Sequence, residues 1–171
     1  MTRVTYSILL SVCPALFSGC LPESQVSTAE RAGPKLTTPA GMAEYLKDLP
    51  AVKKIQTWQN DYGDGIIITT EHYNIHTTLL DPLMLRQLPA FMESAYRAYQ
   101  NQLPQPIETK IKFTAYLFAD RSQWEDFTMT FTAPHGKMYM KIKKGAYYLN
   151  GACVAYNIGR TRTFSVMAHE G

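Results

Sequence analysis

The sequence lacks several features that would assign it to a specialised class. Only 18% of its 171 residues are charged, the net charge is +3, and no uninterrupted basic block occurs. A protein that binds nucleic acid needs a strongly basic surface, so we expect no nucleic-acid partner. The sequence also has no internal repeat and no long low-complexity tract. A hydrophobic content of 46% over this length is sufficient for one domain with a real core.

Residues 1–19 predict a secretory signal rather than part of the fold. Arg3 supplies a thin positive start, and the apolar run that follows, Val4–Phe17, is too short to span a bilayer comfortably and is broken by Pro14. The sequence Leu-Phe-Ser-Gly-Cys that ends at Cys20 then resembles a bacterial lipobox. In such signals the cysteine is lipidated and becomes the first residue of the mature protein, and its acyl chains anchor a soluble domain at the membrane.

A lipid anchor on Cys20 predicts a location in the bacterial cell envelope, on the periplasmic face. Leu21 stands where an aspartate would favour inner-membrane retention in some bacteria, so the resemblance favours the outer membrane. After the lipidated cysteine, residues up to 41 are rich in Pro, Ser, Thr, Glu and Ala without an apolar period. We therefore interpret 20–41 as a lipidated cysteine with a disordered tether. An ordinary secretory signal without lipid is the alternative.

Cysteine is scarce, with three in the whole chain. Because Cys13 belongs to the signal and Cys20 would carry lipid, Cys153 remains alone and cannot form an internal disulfide. We interpret Cys153 as a small buried hydrophobic residue in a strand. A catalytic thiol is the alternative, although no histidine flanks it in the sequence.

Residues 42–171 predict one α+β domain with a mixed or antiparallel sheet. The predicted elements are a short helix 42–49, strands 54–59 and 66–79, a long helix from 82 to about 102, a core strand 110–119, a short helix 120–127 and a hairpin 145–157. Asp81 caps the long helix, which Pro89 is expected to kink or split. Residues 128–144 are predicted to be a loop. The Asn-Gly pair at 150–151 fits a two-residue type I′ turn.

Polar residues in this domain are assigned to the solvent. His72 and His76 would lie in one strand about 13 Å apart, which is too far for one metal ion, so we expect both to face water. On the long helix, Glu93, Arg97 and Gln100 are also expected to face water. In the core strand, Ile111 is expected to share the buried face.

Four tyrosines could line a small-ligand site, although packing on a sheet face explains them equally well: Tyr139, Tyr147, Tyr148 and Tyr156.

The last nine residues predict a final helix that carries a histidine and a glutamate side by side. Thr163 can cap it, residues 159–162 form a short connection, and apolar residues follow at helical spacing. His169 and Glu170 match the first two residues of the zinc-protease motif H-E-x-x-H. The second histidine of that motif would fall two residues beyond Gly171. The dipeptide alone is equally compatible with a surface pair on a helix.

The order of the elements resembles the N-terminal lobe of zincin-type metallopeptidases. More specifically, the chain is similar to an uncharacterised bacterial family of gluzincin-like, peptidase MA-like zinc metallopeptidases, over roughly residues 66–171. Four stretches carry the resemblance: Tyr96–Tyr99, Tyr116–Phe127, Gly145–Tyr148 and Ala168–Gly171.

The resemblance implies a function and a set of residues. His169 would be the first zinc ligand and Glu170 the general base that activates a metal-bound water for hydrolysis of a peptide or protein substrate. Ala152, Val154 and Tyr156 would lie on an edge strand that pairs with extended substrate. Because the second histidine, the third ligand and the C-terminal lobe are missing, we expect an inactive N-terminal fragment that binds no zinc tightly. The alternative is a non-enzymatic envelope lipoprotein with a binding or structural α+β domain.

Overall fold

The computed structural model describes residues 35–107 and 109–171. The predicted signal, Cys20 and most of the predicted tether lie outside the described residues. Within the described residues the fold is α+β, with a six-stranded mixed sheet and five helices. The helices are α1 (Pro39–Leu46), α2 (Pro82–Gln100), α3 (Arg121–Phe131), α4 (Gly136–Tyr139) and α5 (Arg160–Glu170). The strands are β1 (Lys54–Trp58), β2 (Gly65–Thr69), β3 (Tyr73–Thr77), β4 (Phe113–Phe118), β5 (Ala146–Leu149) and β6 (Ala152–Tyr156).

The strands lie in the order β1-β2-β3-β4-β6-β5. The central strands β3, β4 and β6 run parallel to one another, and β1, β2 and β5 are paired antiparallel with their neighbours. The helix α2 connects β3 to β4, as a parallel connection requires. The two edges of the sheet are therefore β1 and β5.

Helices cover both faces of the sheet. Residues of α1, α2 and α5 pack on one face. Buried residues on this side include Met42, Ile68, Leu88, Leu117 and Met167. Residues of α3 and α4 pack on the other face, which is largely aromatic. Its buried residues include Phe118, Trp124, Phe127, Tyr147 and Tyr156. None of the helices in the described residues is long and apolar enough to cross a membrane.

Local signals in the sequence set several boundaries. The Asp81 carboxylate accepts hydrogen bonds from the backbone N–H groups of Leu83 and Met84, so the predicted cap of α2 is confirmed. The helix continues through Pro89, and the predicted split does not occur. The hairpin of β5 and β6 is confirmed, because Asn150 and Gly151 both have positive φ angles, 52° and 79°, as a type I′ turn demands.

The predicted long strand 66–79 is wrong, because it is two antiparallel strands. The chain turns at 70–72, where the backbone N–H of Thr70 donates to the carbonyl oxygen of Tyr73 at 2.9 Å and the Thr70 hydroxyl accepts from the N–H of Tyr73 at 3.0 Å. A threonine side chain that bonds the backbone in this way stabilises a turn, and periodicity alone does not reveal it.

Two further boundaries differ from the prediction. Strand β4 begins at Phe113, and the side chain of Ile111 is 76% exposed rather than part of the core. The predicted loop 128–144 contains the last turn of α3 and the short helix α4. In the added turn of α3, the buried hydroxyl of Thr128 accepts a hydrogen bond from Tyr147 of the sheet, and this contact is not visible in local sequence.

Candidate functional site

The free edge of the sheet near the His-Glu helix belongs to β5. The predicted substrate edge at Ala152, Val154 and Tyr156 is wrong, because β6 lies between β4 and β5 and all five of its residues are buried. Both sides of the β6 backbone are already paired, so it has no free edge for another strand. Strand pairing explains why the predicted edge is wrong. Strand β6 pairs in parallel with the central strand β4, and β5 pairs with the other side of β6, so β5 forms the edge of the sheet.

The geometry of the hairpin decides which backbone groups of β5 face outward. A two-residue type I′ turn is closed by a hydrogen-bonded pair, here Leu149 and Ala152, and the pairs then alternate along the ladder. It follows that Ala146 and Tyr148 direct their N–H and C=O groups away from β6. In the part of the chain that the structure describes, no strand pairs with this outer edge.

The helix α5 is held beside this edge. It packs against β6, β5 and α2. The α5 residue Met167 is fully buried. The ring of Phe164, also on α5, stacks on Phe91 of α2 with 4.8 Å between the ring centroids. The hydroxyl of Tyr99, also on α2, donates to the carbonyl oxygen of Ala168 at 2.8 Å. This last bond fixes the helical turn that carries the histidine and the glutamate.

The start of α5 differs from the prediction. The helix begins at Arg160, so residues 160–162 are its first turn and not a connection. Thr163 lies inside the helix, and its hydroxyl accepts from the backbone N–H of Ile158 at 3.0 Å, so Thr163 is not the cap. The residue before the helix is Gly159, which has a φ of 93° and no capping side chain. A glycine is favoured here because other residues rarely adopt that conformation.

His169 and Glu170 differ in their surroundings. The His169 side chain is exposed, and the Glu170 side chain is half-buried. Burial, together with the charge of Glu170, raises the pKa of the Cys153 thiol to about 12. Cys153 itself is confirmed as a buried residue of a strand, and the catalytic thiol is wrong, because a buried thiol with so high a pKa stays protonated.

The residues described do not by themselves make a zinc site. A catalytic zinc needs three protein ligands in tetrahedral positions. No group of three His, Cys, Asp or Glu side chains in residues 35–107 and 109–171 is arranged to hold a metal ion. The other three histidines lie on other parts of the fold: His72 lies in the β2–β3 turn, His76 in β3, and His135 between α3 and α4. His169 is thus one candidate ligand without partners among the described residues.

His72 does not face the solvent as predicted. Its Nδ1 lies 2.7 Å from Oε2 of Glu93, and its backbone N–H donates to Oε1 of the same carboxylate at 2.9 Å. Its ring stacks on Tyr96, with 3.8 Å between centroids. Glu93 is only 7% exposed, so its predicted exposure is also wrong. The pair ties the β2–β3 turn to α2.

His76 is packed among aromatic rings and is also not solvent-facing. Its ring lies 5.2 Å from Trp58 and 4.8 Å from Tyr116, between centroids. Its buried Nδ1 has no hydrogen-bond partner in the described residues. The tyrosine-lined ligand site is not formed either, because Tyr147 is buried while its neighbour Tyr148 is 53% exposed on the opposite side of β5.

Sequence reasoning missed Arg121, which anchors the loop that leads into β5. Its guanidinium donates to the backbone carbonyl oxygens of Met140 at 2.9 Å, Ile142 at 3.1 Å and Lys143 at 3.2 Å. It also bonds the carboxylate of Glu125 at 2.7 Å. An arginine at the start of a helix that is followed four residues later by a glutamate was the available signal for part of this arrangement.

Comparison with known proteins adds no assignment. No protein family, no curated protein and no solved structure matches this chain.

Proposed function

We propose that this chain supplies the sheet and the active-site helix of a zincin-type zinc peptidase lobe, in which extended peptide adds to the outer edge of β5. The observation that carries the proposal is the free antiparallel edge strand β5 beside α5, the helix that ends in His169 and Glu170. Backbone pairing at a sheet edge binds any extended peptide, and the helix beside it holds the chemical groups.

The proposed roles follow from the residue types. The exposed imidazole of His169 would be a zinc ligand, and Glu170 would hold and transfer a proton as general base. Zinc, when bound, would supply a polarised water. The two further ligands that such a site needs are not found near His169 in the described residues, so the proposal requires other residues of the natural protein to supply them.

The location belongs to the same proposal. A lipid on Cys20 would hold the domain on the periplasmic side of the bacterial envelope, and the outer membrane is the favoured site. The substrate would then be a peptide or protein of that compartment.

Peptide hydrolysis by the protein expressed from its gene up to the stop codon tests the proposal. Glu170→Gln should abolish hydrolysis and leave folding intact, because the amide cannot accept a proton at neutral pH. Glu44→Gln is the matched control, since Glu44 lies on the exposed surface of α1. Full activity in Glu170→Gln would overturn the proposed role of Glu170.

The second candidate is a non-enzymatic envelope protein that binds extended peptides. The observation that favours it is that the outer edge of β5 is formed by the described residues alone and needs no metal. It predicts peptide binding that is unchanged in His169→Ala and in Glu170→Gln, and no hydrolysis by any version of the chain.

A further inference from the structure

The chain carries a marked charge asymmetry around β5. Residues 127–169 contain six of the 17 basic residues of the protein but none of its 14 acidic residues. The six basic residues inside it are exposed and belong to the segments on either side of the β5–β6 hairpin. We call them the basic rim: Lys137, Lys141, Lys143, Lys144, Arg160 and Arg162. In the described residues none of the six forms an ion pair.

Two residues of the basic rim, Lys144 and Arg162, lie together near the start of β5. Lys144 lies two residues before the strand, and Arg162 lies in the first turn of α5. Both line one open groove, together with Ile158, Ser165 and Val166. Side chains of like charge that are brought together from two elements repel each other, so the arrangement is stabilised when an anion is present.

The position of the two arginines strengthens this conclusion. Arg160 and Arg162 occupy the first turn of α5, where the partial positive charge of the helix dipole favours acidic residues and disfavours basic ones. No side chain caps this end of the helix. Arginines in the first turn of a helix go against this preference for acidic residues. Residues that go against such local preferences are often found at functional sites.

The loop that carries three of the rim lysines is held in place, although the charged groups of the rim form no ion pair within residues 35–107 and 109–171. Arg121 bonds the carbonyl oxygens of Met140, Ile142 and Lys143, which fixes the loop that carries three of the lysines. A fixed loop lowers the entropy lost when a ligand binds. The outer edge of β5 is continuous with this loop, so one extended ligand can reach both.

We propose that the outer edge of β5 binds an extended segment of acidic peptide, whose backbone pairs with Ala146 and Tyr148 and whose carboxylates lie against the basic rim at Lys144 and Arg162. This inference rests on the proposed function for the edge strand and adds the chemical class of its ligand. A membrane surface rich in anionic lipid would also attract the rim, but it would make no use of the free strand edge beside it.

The test uses three capped eight-residue peptides with the same threonine and valine frame and either two glutamates, two glutamines or two lysines. Binding is measured by fluorescence anisotropy. We expect the glutamate peptide to bind about ten-fold more tightly than the glutamine peptide at low salt, and the difference to shrink at high salt. The lysine peptide should bind most weakly.

Two pairs of variants separate the strand edge from the charge. Tyr148→Pro removes an outward N–H at an edge position where proline is tolerated, and it should abolish binding of every peptide. Tyr148→Thr keeps that N–H and should bind as the parent does. Lys144→Glu with Arg162→Glu should reverse the preference toward the lysine peptide. Lys54→Glu with Arg86→Glu makes the same change of charge away from β5 and should alter nothing.

The outcomes divide clearly. Equal binding of the glutamate and glutamine peptides, lost in Tyr148→Pro, would overturn the acidic preference and leave the edge strand of the proposed function standing. Binding of the glutamate peptide that survives Tyr148→Pro would overturn the role of the edge. Capture by vesicles of anionic lipid with no peptide bound would overturn the whole inference. A preference for acidic peptide without hydrolysis by the natural protein would support the inference and contradict the peptidase.

Discussion

The carboxylate of Glu93 contacts His72 at two points. Its Oε2 lies 2.7 Å from Nδ1 of the ring, and its Oε1 accepts a hydrogen bond from the backbone N–H at 2.9 Å. This double contact joins the middle of α2 to the turn between β2 and β3. Because Glu93 is 7% exposed, its charge is desolvated and depends on these partners. The contact between His72 and Glu93 therefore has a structural role, because it attaches α2 to the sheet.

Glu93→Gln should therefore destabilise the fold. The amide keeps one acceptor but loses the charge that strengthens both hydrogen bonds, so we expect a loss of about 2 kcal/mol in the free energy of unfolding. Urea denaturation followed by circular dichroism measures it. Glu44→Gln, which breaks the exposed contact with Lys47, is the control and should leave the curve unchanged. Equal stability of both variants would show that the His72 contact contributes nothing.

The same carboxylate predicts a loss of stability in acid. Burial alone would raise the pKa of Glu93, but the hydrogen bonds from Thr70 and His72 outweigh burial and hold the pKa below the ordinary value of 4.5. A carboxylate with a lowered pKa stabilises the folded state above its unfolded pKa, and this stabilisation is lost as the pH falls through the folded value. The difference in unfolding free energy between the parent and Glu93→Gln should thus begin to shrink below about pH 4.5 and should shrink further as the pH falls through the lowered pKa of Glu93. A constant difference from pH 7 to pH 3 would contradict this.

Replacement of His76 by an apolar aromatic residue should increase the stability of the fold. Its buried Nδ1 has no partner in the described residues, and burial lowers the pKa of the ring below its ordinary value of 6.5. His76→Phe removes the unpaired group from an aromatic site and should stabilise the fold by about 1 kcal/mol at neutral pH. The gain should grow as the pH falls below 6.5, because protonation then favours the unfolded parent. His135→Phe, at an exposed position, is the control, and a destabilised His76→Phe would refute the prediction.

Tyr99→Phe should loosen the end of α5. The Tyr99 hydroxyl donates to the carbonyl oxygen of Ala168, in the turn that carries His169 and Glu170. Loss of this partly exposed bond should cost about 0.5 kcal/mol and increase amide exchange in residues 167–171. Exchange measured by mass spectrometry tests it. Tyr45→Phe on α1 makes the same chemical change elsewhere and should leave that segment unaffected. Unchanged exchange in Tyr99→Phe would show that packing of Met167 alone holds the helix end.

The sequence predicted those parts of the fold that depend on neighbouring residues. Asp81 is predicted as a helix cap and Asn150-Gly151 as a turn from their residue types, because each acts within three residues. The α+β class followed from the same local signals. The cap of α5 was missed because Gly159 supplies a backbone conformation and not a capping side chain.

The candidate site could not be placed in the same way. Whether β5 or β6 forms the edge depends on pairing between β6 and β4, which are more than thirty residues apart in the chain, and nothing local encodes it. The contacts of Glu93 with His72 and of Arg121 with the 140–143 loop also join distant segments. The His169 and Glu170 dipeptide was visible in the sequence, but its position beside the β5 edge was not.

Zinc stoichiometry tests the central proposal most directly. The protein expressed from its gene up to the stop codon should bind about one zinc ion per chain, as measured by plasma mass spectrometry after gel filtration. His169→Ala should lose that zinc, whereas His135→Ala, at an exposed position distant from α5, should retain it. Zinc that is absent from the parent, or that is equally bound in His169→Ala, would contradict the peptidase and leave a peptide-binding domain.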